Sequence, residues 1–288
     1  MFAKRIWLNI ALLALVIVLA LIAWLEPGGK KKTDTLSPLL SLTADQVERI
    51  RLLPGADRHI DLTRGDNGWM ISYPIQIAAN DFRVDSILQL TQADSYAHYP
   101  AAAQALAPFG LDPPQSEIQL NDVTIAFGDN EPIHHRRYVR VGDQVHLIND
   151  RYFYSSQLLL SALVDTALLP ADAVPVRIQL PDRLLTRVNG DWHVEPDGNG
   201  VSMDAINGLV DAWRHARAVQ VSEYHEDKVQ DTIDVSLADG TRLSFELLSR
   251  SPALLLGRRD LGLRYHFTAE QASRLLNLAM PAGSDSTE

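Results

Sequence analysis

Hydrophobic positions fall into three patterns along this 288-residue chain: one unbroken run, then stretches of period two, then stretches of period near 3.6. The unbroken run is residues 6–25, IWLNIALLALVIVLALIAWL, with no formal charge. At about 1.5 Å rise per residue it spans the roughly 30 Å hydrocarbon core of a bilayer. Thirteen of its twenty positions are Leu, Ile or Val. At about −0.3 to −0.6 kcal/mol each, they outweigh the single polar Asn9. Trp7 and Trp24 lie seventeen positions apart, a spacing that sets each indole at one headgroup boundary. The run therefore predicts a transmembrane helix. It reads as an anchor rather than a cleaved leader, because Ala23-Trp24-Leu25-Glu26-Pro27 offers no small-x-small cleavage site. Flanking charge nearly balances, Lys4 and Arg5 against Lys30, Lys31 and Lys32, and leaves orientation open. A short basic head is easily retained while a long following domain crosses, so the bulk of the chain is expected outside.

Beyond a polar linker, the period-two and period-3.6 stretches recur in one order twice. The first copy opens with Val47-Glu48-Arg49-Ile50-Arg51-Leu52, then Ile60-Asp61-Leu62-Thr63-Arg64, a Gly-Asp-Asn-Gly turn and Trp69-Met70-Ile71. The second opens with Val176-Arg177-Ile178-Gln179-Leu180, then Leu184-Leu185-Thr186-Arg187, an Asn189-Gly190 turn and Trp192-His193-Val194. Each reads as a strand plus a tight hairpin carrying a tryptophan, with Trp69 and Trp192 expected in equivalent core positions. An amphipathic helix follows, begun at Asp81 in one copy and at Ser202 in the other. A four-strand meander comes next. A closing helix is expected over 150–168 in the first copy and over 269–279 in the second, the latter with Thr268 and Gln271 as a capping box.

The predicted fold class is therefore α+β: an N-terminal transmembrane helix, then two tandem antiparallel hairpin-helix-meander-helix units, with helices as the only cover for each sheet. The expected boundaries are 1–32 for anchor and basic stem, 33–43 linker, 44–170 first unit, 171–281 second unit and 282–288 tail. Whether the two units share one sheet is open at this level.

Charge sharpens the division. The segment through Lys32 holds five basic residues and one acid, so the whole-chain net charge of −10 leaves −14 on residues 33–288. Lys30, Lys31 and Lys32 suit anionic headgroups or serve as a solvated flank. An acidic body repels phosphate backbones, which argues against a nucleic-acid partner. There are no cysteines, so disulfides, thiolate catalysis and Cys-based zinc sites are excluded.

Candidate chemistry is sparse. His134-His135-Arg136-Arg137 is the best catalytic or metal candidate. Adjacent histidines on a strand point to opposite faces, and no His-x-x-x-His or His-x-x-Glu completes a zinc set. The run reads as a basic interaction patch able to hold a carboxylate or phosphate through arginine, or as a solvated loop. His193, Glu195 and Asp197, and His225, Glu226 and Asp227, sit beside turn residues and read as turn chemistry. Asp197-Gly198-Asn199-Gly200 lacks the further oxygens and closing Glu of a calcium loop. There is no Gly-x-Ser-x-Gly, phosphate loop or dinucleotide fingerprint. No catalytic residue, cofactor or metal is expected.

The helix ending Trp-Leu-Glu-Pro-Gly, the paired Thr-Arg-x4-Trp hairpins, Phe109-Gly110-Leu111-Asp112-Pro113-Pro114 and Arg137-Tyr138-Val139-Arg140-Val141 resemble bacterial proteins of the domain-of-unknown-function 4340 family. The resemblance covers nearly the whole chain. It implies a single-pass inner-membrane anchor, a repeated periplasmic domain and, in some relatives, a place beside gliding-type ABC transporter components; it carries no catalytic residue. The expected function is a non-enzymatic scaffold or adaptor for an envelope protein complex, with an envelope protein as partner. The alternative is a ligand-binding or hydrolytic module in the cleft between the units, with His135, Arg136 and Arg137 on one wall.

Overall fold

A computed structural model describes residues 15–17, 36–55, 58–102, 106–196 and 201–278. Strands dominate these residues. They are β1 (Ser37–Pro38), β2 (Arg49–Leu53), β3 (Ile60–Gly65), β4 (Gly68–Tyr73), β5 (Ile77–Ala78), β6 (Asp94–Ser95), β7 (Ala97–Pro100), β8 (Ser116–Leu120), β9 (Val123–Asn130), β10 (Arg136–Val141) and β11 (Gln144–Asn149). The second half adds β12 (Pro175–Gln179), β13 (Leu184–Val188), β14 (Asp191–Glu195), β15 (Gln220–Glu223), β16 (Asp231–Leu237), β17 (Arg242–Ser249), β18 (Leu254–Arg258) and β19 (Leu263–Phe267). The helices are short: α1 (Asp81–Leu88), α2 (Phe153–Ser156), α3 (Leu160–Leu163), α4 (Met203–Arg214) and α5 (Ala269–Leu276).

Two large antiparallel sheets result. One is ordered β5-β4-β3-β2-β8-β9-β10-β11-β7 and the other β14-β13-β12-β16-β17-β18-β19-β15; β1 and β6 form a small separate pair. From β4 to β7 the first sheet has the same connectivity as the second from β14 to β15. Alternation explains the strands. In β2, Ile50 and Leu52 are buried while Arg49 and Arg51 are exposed; in β16, Ile233, Val235 and Leu237 are buried. The Asn189-Gly190 turn places both residues at positive φ, 53° and 101°, as a two-residue hairpin requires.

The expected α+β class is corrected. Helices do not form a matching layer over each unit, because strands missing from the expected pattern lengthen both sheets. After α1, β7 returns to pair with β11, and after α4, β15 returns to pair with β19. The closing helix expected over 150–168 is broken: a 3-10 turn at Asp150–Tyr152, then α2 and α3, each of four residues. From Leu163 the backbone is claimed by both halves instead of by a helix. Asn80 N donates to Leu163 O and Asp165 N to Ala78 O, while Ala218 N donates to Thr166 O and Leu168 N to Ala216 O. Isolated bridges Ala79↔Val164 and Ala167↔Arg217 mark the same ribbon. The halves thus hold separate sheets joined edge to edge through residues 163–168, and one hydrophobic core runs through both.

The single-pass membrane placement is also corrected: among the described residues no helix is long and apolar enough to cross a membrane. The expected span over 6–25, the indoles Trp7 and Trp24, and Lys30, Lys31 and Lys32 fall outside the described residues, apart from a helical turn at 15–17.

The two amphipathic helices seal the second sheet. Ile206, Leu209, Val210 and Trp213 line one face of α4, whose Ser202 cap accepts from Ala205 N. α5 begins with the Thr268/Gln271 capping box, and Trp213 Nε1 donates to Leu275 O at 2.8 Å, tying the helices together.

Candidate functional site

The run His134-His135-Arg136-Arg137 connects β9 to β10, and its four side chains diverge. Glu131, 7% exposed, accepts from His134 N at 2.7 Å and Ile133 N at 3.1 Å, closing the turn. Those bonds, the one from His134 N foremost, hold the Glu131 carboxyl below its ordinary range. His134 lies 3.5 Å from Glu131 and is exposed; His135, at φ 53°, is exposed as well. Arg136 stacks its guanidinium 3.7 Å above the Tyr96 ring. Arg137 turns to the opposite face and is buried. There its Nε donates to Asp150 at 2.7 Å, its Nη1 donates to Gly128 O at 2.7 Å, and the guanidinium covers the Phe153 ring at 3.8 Å. The sequence places these residues side by side, but the pleat separates them. Arg137 braces β9, β10 and the start of α2; His134 and His135 are exposed and Arg136 is half-buried.

Trp69 is buried at 8% exposure, with Arg64 5.0 Å from its ring; Trp192 is half-buried and packs against the same core. The Phe109-Gly110-Leu111 stretch lies over the outer face of the first sheet. Phe109 contacts the Tyr138 ring, Leu111 is buried, and a Cβ on Gly128 would meet Phe109 O at 2.2 Å.

Three arrangements escaped sequence reading. On the second sheet, Ser222 Oγ lies 2.8 Å from His266 Nε2, and Arg264 donates to Ser222 at 3.3 Å and to Asp227 at 2.8 Å. Partial burial, with Arg264 second, pushes the His266 imidazole below its ordinary value. The pair holds a hydroxyl beside a neutral imidazole, but among the described residues no carboxylate orients the ring's other nitrogen. Beside it Tyr224 donates to Glu246, which also accepts from Arg259 at 2.7 Å. An open groove of about 750 Å³ runs between α4 and α5, with Gly208 and Leu209 on one side and Leu275 and Leu278 on the other. Among the described residues no group of three His, Cys, Asp or Glu could hold a metal ion. Residues 42 to 44 positions apart make the Arg–Ser and Ser–His contacts, so only the sheet register could reveal them.

The third arrangement is an edge. β14 pairs with β13 alone among the described residues, whereas its counterpart β4 is covered by β5 and by Ala79 N donating to Trp69 O. Val188 and Asp191 flank the two-residue turn as the first hydrogen-bonded pair, so pairs 186/193 and 184/195 bond inward. The backbone N–H and C=O of Trp192 and Val194 therefore point away from β13. Asp191, His193 and Glu195 stand exposed on one face of this edge, and half-buried Trp192 and Val194 on the other.

Neither curated proteins nor solved structures yield a match to this chain. A family model does, described as a domain of unknown function, DUF4340, over residues 69–239, from β4 through the joining ribbon to β16. That stretch is more than half of the sequence and takes in strands of both sheets, and this chain belongs to the DUF4340 family.

Proposed function

We propose that this chain is a non-enzymatic scaffold or adaptor that binds a protein partner by adding an extended segment to the β14 edge. The observation that carries the reading is the outward-facing backbone of Trp192 and Val194 at the end of an eight-stranded sheet. Such an edge offers main-chain donors and acceptors for affinity, and its side chains supply selectivity. The partner strand would alternate. Apolar side chains would extend the layer of Trp192 and Val194, and basic ones would face Asp191 and Glu195. The dispersal of His134 to Arg137 over two faces supports surface recognition over a converged reaction centre.

The test uses a photo-cross-linking residue at position 193 of the full chain in cells. Val194→Pro removes an outward N–H without touching the ladder to β13, because proline is tolerated where the N–H faces solvent. The partner adduct is expected in the unchanged chain and in Val194→Ala, and lost in Val194→Pro with an unchanged far-ultraviolet spectrum. An adduct of equal yield in Val194→Pro would overturn the reading.

A further inference from the structure

On the outer face of the second sheet, Arg177 of β12 pairs with Ser236 of β16, which pairs with Arg242 of β17. Residues directly opposite one another share a face, so two arginines flank one serine hydroxyl in a straight row. Neighbouring strands lie about 4.8 Å apart, which puts the two arginine stems roughly 10 Å apart, within reach of one small anion above Ser236. Both arginines are exposed, and among the described residues neither makes an ion pair. A shallow cavity of about 490 Å³ lies here, lined by Arg177, Asp234, Ser236, Arg242, Leu243 and Ser244.

The first sheet supplies the contrast. Ile50 pairs with Leu120 as Ile178 pairs with Val235, which makes Arg49 the counterpart of Arg177. Leu120 faces Val123 as Val235 faces Leu243, so Asp122 occupies the place of Arg242. There the arginine is neutralised, Arg49 to Asp122 at 3.5 Å. The same position in the second sheet has the opposite sign, leaving two guanidinium groups without an ion pair among the described residues, with Asp234 to one side of them on a chain of net charge −10. Like charges so placed repel unless an anion sits between them.

From this row we infer a binding site for a tetrahedral phosphoryl dianion, clamped by the guanidinium forks of Arg177 and Arg242 and seated on the Ser236 hydroxyl. Two forks from opposite sides match an anion with oxygens on several sides, whereas a carboxylate is satisfied by one fork. Asp234, two residues along β16 on the same face, selects against ligands carrying further negative charge on that side. The site is independent of the β14 edge, whose partner meets backbone rather than these arginines.

The test titrates the full chain with inorganic phosphate, phenyl phosphate and acetate by calorimetry. Saturable phosphate binding is expected, weakened at least tenfold in Arg177→Gln and in Arg242→Asp, with acetate at least tenfold weaker than phosphate. Arg242→Asp recreates the Arg49–Asp122 pairing, so it is expected to melt no lower than the unchanged chain in phosphate-free buffer. Whichever of inorganic phosphate and phenyl phosphate binds more tightly identifies the source of the group, and either result supports the site. Absence of binding, binding in the variants within twofold of the unchanged chain, or acetate binding as tightly would overturn it.

Discussion

Arg137 shows how one residue can hold three elements. Its side chain is 9% exposed and donates to Asp150 and Gly128 O while covering Phe153. Its approach to Gly128 comes where Phe109 O crowds the strand from the other side. Arg137→Ala leaves a carboxylate and a buried carbonyl without their donor, and is expected to cost about 3 kcal/mol in urea unfolding. Arg137→Lys keeps the charge but loses the two-pronged geometry, so an intermediate loss is expected in the same measurement. The sequence singles out the His134–Arg137 run as a candidate patch, but it cannot say which face each member takes. That depends on β10 register, Arg137 opposite Ile148 and Arg136 opposite Asn149, which is a property of the partner strand.

Among the elements, the legible ones announce themselves by local pattern. Alternation in Ile233-Asp234-Val235 and the Asn189-Gly190 turn are local signals, and the strands and hairpin stand where those residues put them. The Thr268/Gln271 box is also local, and both of its hydrogen bonds form. Thr268→Ala removes the one that Gln271 N donates to the Thr268 hydroxyl at the first turn of α5, and a loss of about 1 kcal/mol is expected in thermal unfolding. β7 and β15 are not legible, because Ala-His-Tyr-Pro and Gln-Val-Ser-Glu have no sustained alternation and are strands only through their partners. The stretch 153–168 fails for the opposite reason. Its apolar residues suit a helix, yet the backbone beyond Leu163 finds better partners in two neighbouring sheet edges.

Over the whole molecule, acid is expected to destabilise in two stages. Partial burial first, with His98 and Arg264 respectively second, pushes the imidazoles of His146 and His266 below their ordinary 6.5. The unfolded chain therefore binds protons that the folded chain refuses, and stability falls as pH drops through about 6.5. Glu246, held below 4.5 mainly by Arg259, and Asp61, held below 3.8 mainly by Arg51, act in the same direction at lower pH. Their stabilisation is complete above the unfolded values and is lost as pH falls toward the folded ones. Melting temperature measured from pH 7.5 to 3.5 is expected to decline in both ranges. The combined variant His146→Gln, His266→Gln is expected to flatten the first decline and keep the second.

The ribbon at 163–168 carries a consequence for how such a chain can change over generations. Its amides and carbonyls are shared between two otherwise complete sheets, so a recombination boundary placed there would hand each fragment a row of unmet polar groups. The two halves are therefore expected to be inherited together, as one indivisible cassette.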